Sequence, residues 1–298
     1  MNRRETIRLL GSASVGLLIS NAAKATRSLA TTQAGDVTPP LAPGAPMSPE
    51  RTALIERFRN QSAGIENEFE ARTHNGDWTM PYRLFRPNTS SEVPLVLYLH
   101  GSGGLGDDNL KQMGLGNIFG TRVWALPQNQ KIFPCFVVAP QTDRGWVHYD
   151  LSNQAEGPAK VLPGLGNGSR KALEIVDKLC REFPIDEHRI YVTGQSMGGA
   201  GAWNALTYRP RFFAAAVICC GSVSLENGTG SVETPLWNFH GDSDKTVPVS
   251  ISRSRMAARR NAGGRPLYTE YAGVDHEVWQ WAFTEPELPK WLFTQRRP

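Results

Sequence analysis

The sequence predicts an α/β fold with a mostly parallel sheet of about eight strands and helices on both faces. Short, continuous apolar segments alternate along much of the chain with stretches of helical character. Such alternation is typical of a parallel sheet that is covered on both sides. The chain has 298 residues, of which 40% are hydrophobic and 20% charged, so it can bury a sizeable core. This composition excludes disordered, collagenous and coiled-coil proteins.

The net charge of +4 comes from the N-terminal region. Residues 1–30 carry five basic residues and one acidic residue, and the rest of the chain balances 27 basic against 27 acidic residues. A pI near 8.9 therefore does not indicate a basic functional surface, and we expect no nucleic-acid partner.

Residues 1–30 are expected to be a signal peptide. The pair Arg3 and Arg4 precedes an apolar run from Leu9 to Ser20, and small residues follow, which resembles a twin-arginine export signal. The run is too short and too interrupted by Gly and Ser for a membrane anchor. We expect export to the periplasm or medium, with cleavage after either Ala25 or Ala30. The alternative is a frayed N-terminus on a cytoplasmic enzyme.

Residues 31–49 are rich in proline and are expected to form a linker to a single domain over residues 50–298. Ser48, Pro49 and Glu50 predict a capped helix that runs to about Gln61. A hairpin is expected next, with strands Glu68–Thr73 and Trp78–Phe85 around the turn Asn75-Gly76.

The remaining elements alternate between strands and helices. The predicted strands are Val93–Leu99, Phe136–Ala139, Arg189–Thr193, Ala214–Cys219, Leu236–Phe239 and Leu267–Tyr271. The predicted helices are Leu110–Leu126, Ser169–Glu182, Met197–Tyr208, Val249–Asn261 and Glu277–Gln295.

A GxSxG motif stands between a predicted strand and a predicted helix, at residues 194–198. Glycines two before and two after Ser196 leave room for a sharp turn, which exposes the serine hydroxyl. The N–H of Met197 would then lie at a helix N-terminus, where a developing oxyanion is stabilised. The alternative is a Gly-rich turn with a capping serine.

A nucleophilic serine needs a base and an acid that orients the base, and both follow in the chain. After the strand Leu236–Phe239 comes a loop with two carboxylates, Asp242 and Asp244. We choose Asp244 as the acid and expect Asp242 to brace the turn. His276 follows the last strand and is the expected base. Each residue alone could be an ordinary loop residue.

The loop after Val93–Leu99 carries His100-Gly101-Ser102-Gly103-Gly104. Its backbone can approach a substrate carbonyl, so the N–H of Ser102 or Gly103 is the expected second oxyanion donor. His100 is expected to brace this loop. A phosphate-binding loop is a poor alternative because the Lys-Ser/Thr ending is missing.

These motifs resemble the α/β-hydrolases described as predicted peptidases or esterases, which are similar to polyhydroxybutyrate depolymerases and feruloyl esterases. The matching segments are residues 80–84, 99–103, 106–109, 138–141, 194–199, 240–244 and 276, with Trp203, Trp279, Trp291 and Leu292. The resemblance implies an α/β-hydrolase fold and ester hydrolysis. A serine peptidase or amidase is the alternative, and a non-catalytic binding protein on the same scaffold is a second.

Substrate and ligand predictions rest on fewer residues. Trp146 and Trp279 could line a substrate pocket, although core packing explains each equally well. Arg253, Arg255, Arg259 and Arg260 share one predicted helix and could bind an acidic polymer, or form a solvated face. No cofactor and no metal site are expected. The four cysteines are expected to be buried, and an oxidising compartment would permit one disulfide of unknown pairing.

Overall fold

A sheet of eight strands is the centre of the computed structural model, which describes residues 48–150, 160–221 and 230–298. The expected signal peptide and nearly all of the expected linker lie outside the described residues. The sheet comprises β1 (Phe69–His74), β2 (Met80–Phe85), β3 (Val93–Leu99), β4 (Phe136–Pro140), β7 (Ile185–Gln195), β8 (Ala215–Cys219), β9 (Leu236–Gly241) and β10 (Leu267–Tyr271).

The strand order is β1-β2-β4-β3-β7-β8-β9-β10. The hairpin β1-β2 adds to one side, with β2 antiparallel to β4, and the other six strands run parallel. The predicted fold class is therefore confirmed. A further pair, β5 (Tyr149–Asp150) and β6 (Lys160–Val161), forms a separate antiparallel ribbon that we did not predict.

The described helices are α1 (Pro49–Gln61), α2 (Ile118–Arg122), α3 (Pro127–Ile132), α4 (Asn167–Glu182), α5 (Met197–Tyr208), α6 (Val249–Asn261), α7 (Trp279–Ala282) and α8 (Leu288–Phe293). As predicted, Ser48 caps α1, and its hydroxyl accepts a hydrogen bond from the N–H of Arg51 at 3.3 Å. In the described ranges, no helix is both long and apolar enough to cross a membrane.

The sheet separates two apolar cores, and β3 contributes to both. Val96 and Tyr98 pack with α1, α2, α7 and α8 on one face. Leu95, Leu97 and Leu99 pack with α4, α5 and α6 on the other. Because strand side chains alternate between faces, a continuous apolar strand supplies both cores.

Two predicted helices are wrong in length. Instead of Leu110–Leu126 the chain forms short 3₁₀ turns around α2, because Gly114 is extended and Leu115 has a left-handed φ of 46°. Instead of Glu277–Gln295 there are two short helices, since Pro286 stops one and Pro289 lies in the first turn of the next.

Candidate active site

Ser196 occupies the sharp turn between β7 and α5, at the carboxyl edge of the parallel sheet. Its φ of 51° and ψ of −119° lie outside the regions that a non-glycine residue ordinarily adopts. The turn is held by the Ser196 N–H, which donates to the carbonyl of Cys219 on β8 at 2.8 Å. The strain is compatible with a functional position, where such conformations concentrate.

The start of α5 lies directly against the end of β3, and glycine makes this approach possible. A Cβ on Gly198 would lie 1.9 Å from the carbonyl oxygen of Leu99, so no other residue fits there without movement. The close approach brings Met197, the first residue of α5, near the loop that follows β3. The N–H of Met197 is one of the first amides of α5, which have no acceptor within the helix.

The loop after β3 turns through a short 3₁₀ helix at Ser102–Gly104. Its hydrogen bonds begin with the N–H of Gly104, which donates to Gly101 at 2.9 Å. The amides of Ser102 and Gly103 precede these bonds. They are the two groups that the sequence suggested as oxyanion donors.

Buried side chains hold this loop in position. The Asn117 side-chain oxygen accepts from the N–H of Gly101 at 3.0 Å, and Gln141 donates its amide to the carbonyl of Gly104 at 3.1 Å. His100 lies below the loop, with Nδ1 at 2.8 Å from the Gly101 carbonyl and Nε2 accepting from the N–H of Thr142 at 3.2 Å. Burial lowers the pKa of His100 to about 4, so the ring is neutral. These contacts agree with the expected bracing role of His100.

Ser196, His276 and Asp244 form one line of hydrogen bonds. Ser196 Oγ lies 2.8 Å from Nε2 of His276, and Nδ1 of His276 lies 2.8 Å from Oδ2 of Asp244. The three residues come from the ends of β7, β9 and β10, because the carboxyl ends of parallel strands meet at one edge of the sheet. The structure therefore brings together the three residues that the sequence pointed to.

The Asp244 carboxylate is fully buried and is surrounded by donors. Its Oδ1 accepts from the N–H groups of Thr246 and Val247, each at 2.8 Å. Burial alone would raise the pKa of Asp244, but hydrogen bonds from His240, His276 and Val247 outweigh it and hold the pKa well below its usual value. The group is therefore an anion next to His276.

Asp242 has a different environment from Asp244. Its Oδ1 accepts from the N–H of Gly273 at 2.7 Å and from the hydroxyl of Ser243 at 2.8 Å. These contacts connect two neighbouring loops, as expected of a residue that braces the turn.

His240 is a residue of the site to which the sequence analysis assigned no role. It is the penultimate residue of β9, is fully buried, and places Nε2 3.3 Å from Oδ2 of Asp244. The sequence signal was present, since His240 stands four residues before Asp244 at the end of an apolar strand. Its contacts with Asp244 and Val247 depend on the conformation of the loop after β9, which the sequence does not reveal.

The two tryptophans suggested as substrate contacts differ. Trp146 is fully buried, with 0% of its surface exposed, and its indole N–H donates to the carbonyl of His100 at 2.8 Å. It packs below the loop, so the expectation that Trp146 lines an accessible pocket is wrong. Trp279 lies beside the catalytic candidates, with its ring 5.4 Å from that of His276 in an edge-to-face arrangement.

The four arginines of α6, suggested either to bind an acidic polymer or to form a solvated face, do not share one exposed face. Arg255 and Arg259 are only 2% and 1% exposed, and their guanidinium groups lie over the ring of Trp203 at 4.1 and 5.8 Å. Arg253 is more exposed and pairs with Glu270. Arg253 and Arg260 are exposed, whereas cation–π packing on an indole withdraws Arg255 and Arg259 from water.

The described residues contain one group of three atoms that could ligate a metal, from Cys220, Asp244 and His276, within 4.8 Å of one another. Burial raises the pKa of the Cys220 thiol well above its usual value, which keeps it protonated and a poor ligand. Asp244 and His276 already bind each other. All four cysteines are free, and three of them are buried.

An eight-stranded, mostly parallel sheet with a serine turn at the end of a central strand defines a protein of the α/β-hydrolase class. Within that class, residues 86–285 match the phospholipase/carboxylesterase family. The chain belongs to this family of hydrolase enzymes.

Individual relatives agree with this assignment. A thermostable esterase of known structure is 36% identical, with a TM-score of 0.71 over 78% of this chain and 64% of that one. The bifunctional acetylxylan esterase/xylanase XynS20E of Neocallimastix patriciarum is 25% identical over 119 residues, which are 36% of this chain and 18% of that protein. The chain thus spans less than two thirds of either relative.

The fold is shared more widely. The fluorophosphonate-binding serine hydrolase F of Staphylococcus aureus is 15% identical and has a TM-score of 0.54, over 76% of this chain and 98% of that one. A likeness at this identity concerns the architecture alone.

Proposed function

We propose that the chain is a serine carboxylester hydrolase that acts through an acyl-enzyme. The observation that carries this proposal is the continuous line of hydrogen bonds from Ser196 through His276 to Asp244. Membership of the phospholipase/carboxylesterase family supports it.

In the first half of the reaction, Ser196 Oγ attacks the ester carbonyl carbon while Nε2 of His276 takes the hydroxyl proton. Asp244 accepts from Nδ1 of His276, which fixes the tautomer and stabilises the imidazolium that forms. The carbonyl oxygen becomes an oxyanion, which accepts hydrogen bonds from the N–H of Met197 and from that of Ser102 or Gly103. His276 then protonates the departing alcohol, and the acyl group stays on Ser196.

In the second half, water attacks the acyl-enzyme and His276 again acts as the base. The tetrahedral intermediate uses the same oxyanion donors. Its collapse releases the carboxylic acid and restores the Ser196 hydroxyl. The proton that His276 took from water is the one that returns to Ser196 Oγ.

Ester preference over amide preference is tested with matched substrates. A p-nitrophenyl ester and a p-nitroanilide that share one acyl group would be given to the purified protein, with Ser196→Ala as the control. We expect turnover of the ester and a much lower kcat/KM for the anilide. A higher kcat/KM for the anilide would establish the alternative, a small peptidase or amidase.

A second assay distinguishes an enzyme from a binding protein on the same scaffold. A fluorophosphonate probe reacts with an activated serine, so we expect stoichiometric labelling of the wild type and none of Ser196→Ala. An acetylated xylan would then be included among the polymeric esters screened, because a relative of this chain is an acetylxylan esterase. Lack of both labelling and turnover would contradict the proposal.

We further propose that the protein is exported and that its leader is removed by cleavage after Ala25 or Ala30. The support is the sequence pattern of the first 30 residues, with its paired arginines and the apolar run that follows.

A further inference from the structure

His240 is the second imidazole at the Asp244 carboxylate. Its Nε2 lies 2.9 Å from the carbonyl oxygen of Val247 and 3.3 Å from Oδ2 of Asp244. A carbonyl oxygen can only accept a hydrogen bond, so the hydrogen of His240 must be on Nε2. This N–H is directed at the two acceptors together.

The other ring nitrogen of His240 faces a hydroxyl that can donate to it in this tautomer. Nδ1 of His240 lies 2.7 Å from Ser252 Oγ on α6, and Asn238 donates its side-chain N–H to the same Oγ at 3.0 Å. Since Ser252 Oγ accepts from Asn238, its own hydrogen is available for Nδ1 of His240. One arrangement of hydrogens therefore satisfies Ser252 and His240 together with the side-chain N–H of Asn238.

Val247 links this arrangement to the turn that carries Asp244. Its carbonyl accepts from His240, and its N–H donates to Oδ1 of Asp244 at 2.8 Å. Strand β9 and helix α6 thus hold both the turn and the carboxylate through one fully buried ring. A carboxylate on a loop acquires a fixed orientation when rigid elements bind it in this way.

We propose that His240 is a positioning residue for catalysis: its Nε2–H fixes the Asp244 carboxylate in the orientation that His276 requires. This inference rests on the proposed function, because it assigns His240 a role in the same proton transfer. His240 does not contact the reacting atoms and acts through Asp244. Ser252 supports it by donating its hydroxyl hydrogen to Nδ1 of His240.

Two substitutions at His240 distinguish the contribution of Nδ1 from that of Nε2. His240→Asn retains a polar group near the position of Nδ1, facing Ser252, but does not reach Asp244. His240→Gln carries its amide N–H close to the position of Nε2. We expect His240→Asn to lower kcat roughly 10- to 100-fold with KM within about twofold, because a small misplacement of a catalytic group costs this much. We expect His240→Gln to restore kcat to within about threefold of wild type.

A spectroscopic measurement tests the same point without substrate. The proton between His276 Nδ1 and Asp244 should give a strongly downfield ¹H NMR resonance in the wild type and in His240→Gln. The resonance should broaden or disappear in His240→Asn. Equal impairment of kcat in both variants, with the resonance retained in both, would mean a purely structural role and would overturn the inference.

If His240→Asn does not fold, Ser252→Ala takes its place. The matched control is Thr269→Val, which removes a buried hydroxyl that accepts from the indole N–H of Trp237 at 3.0 Å and has no contact with Asp244. We expect Ser252→Ala to lower kcat several-fold and Thr269→Val to leave kcat unchanged at a similar loss of Tm. Equal kcat in the two variants would overturn the inference.

The outcomes distinguish this inference from the proposed function. A wild-type protein with no turnover and no fluorophosphonate labelling would contradict the proposed function itself. An active wild type together with an equally active, folded His240→Asn variant would contradict only the role of His240.

Discussion

At the scale of single residues, Ser196 and His276 are joined by one 2.8 Å contact between Oγ and Nε2. Because the proposed mechanism assigns them one shared proton transfer, we expect Ser196→Ala and His276→Ala each to lower kcat roughly a million-fold, and the double variant to be little worse. The measurement is kcat on a chromogenic ester with the background rate subtracted. Multiplicative losses in the double variant would argue against a shared step.

The two carboxylates of the loop after β9 give a matched comparison. Asp244→Asn should lower kcat roughly ten-thousand-fold, because an amide in that position favours the wrong tautomer of His276. Asp242→Asn should cost far less, since Asp242 binds Gly273 and Ser243 and not His276. Steady-state kinetics of the two variants decide between them, and the reverse ranking would identify Asp242 as the acid.

The three residues that the structure brings together in the candidate site were predictable because each follows a strand within a short motif. Ser196, Asp244 and His276 follow apolar strands, and the order Ser, Asp, His is typical of this fold. The contacts of His240, Asn117 and Gln141 were not predictable. They depend on loop conformations that no periodicity encodes.

At the scale of elements, the regular strands and long helices followed from hydrophobic patterning, whereas the short ones did not. The region after residue 110 contains two glycines that permit close packing. A Cβ on Gly116 would lie 2.8 Å from the Trp279 indole, and one on Gly120 would lie 2.1 Å from the Tyr98 ring. In a sequence, such glycines cannot be distinguished from isolated glycines that a helix tolerates. The positions of the arginines of α6 were not predictable for a related reason. The spacing of charged residues in the sequence does not show which of them pack against Trp203.

The loop after β3 provides a prediction at the element scale. A Cβ on Gly104 would lie 2.5 Å from the ring of His100, whereas a Cβ on Gly103 would meet nothing within 4 Å. Gly104→Ala should therefore destabilise the protein by about 1–3 kcal/mol and lower Tm by several degrees. Gly103→Ala, the neighbouring control, should leave Tm nearly unchanged. Thermal unfolding followed by circular dichroism measures both, and identical Tm values would contradict the packing described for His100.

At the scale of the whole molecule, depressed carboxyl pKa values predict acid sensitivity. Hydrogen bonds and ion pairs with Lys171 and Arg170 lower the pKa of Asp77 from 3.8 to about 2, and the pKa values of Asp108 and Asp244 are also lowered. Below the ordinary value the unfolded chain binds more protons than the folded one, so stability falls as the pH falls. The stabilisation from these carboxyl groups is complete at pH values above their unfolded-state pKa. It is lost as the pH falls from that value to their folded-state pKa.

We therefore expect Tm to be constant near neutral pH and to decrease as the pH is lowered from about 4 to about 2. Asp77→Asn should have a lower Tm at neutral pH and a shallower decrease over this interval. Differential scanning calorimetry across the pH range provides the test. If Tm changes with pH equally in the wild type and the variant, Asp77 contributes nothing to the acid sensitivity.

The N-terminal region gives a prediction about location. Deleting residues 1–30 should leave esterase activity and Tm unchanged, while the full-length protein should be recovered outside the cytoplasm with an N-terminus near Thr26 or Thr31. Replacing Arg3 and Arg4 together by Lys should block export, since the twin-arginine route requires the arginines themselves. N-terminal sequencing of fractionated cells is the measurement. Normal export of the Lys-Lys variant would indicate the general secretory route, and an uncut cytoplasmic protein would contradict export.

The strand order also has a consequence for biosynthesis. The central strand β3 pairs with β4 on one side and with β7 on the other, in a register that joins Leu99 to Gly194. During translation one edge of this wholly apolar strand remains without its native neighbour until some ninety further residues have been made. An unpaired apolar edge is a site of association between nascent chains. Slow stages of synthesis between β4 and β7 should therefore reduce the yield of soluble protein more than slow stages after β7.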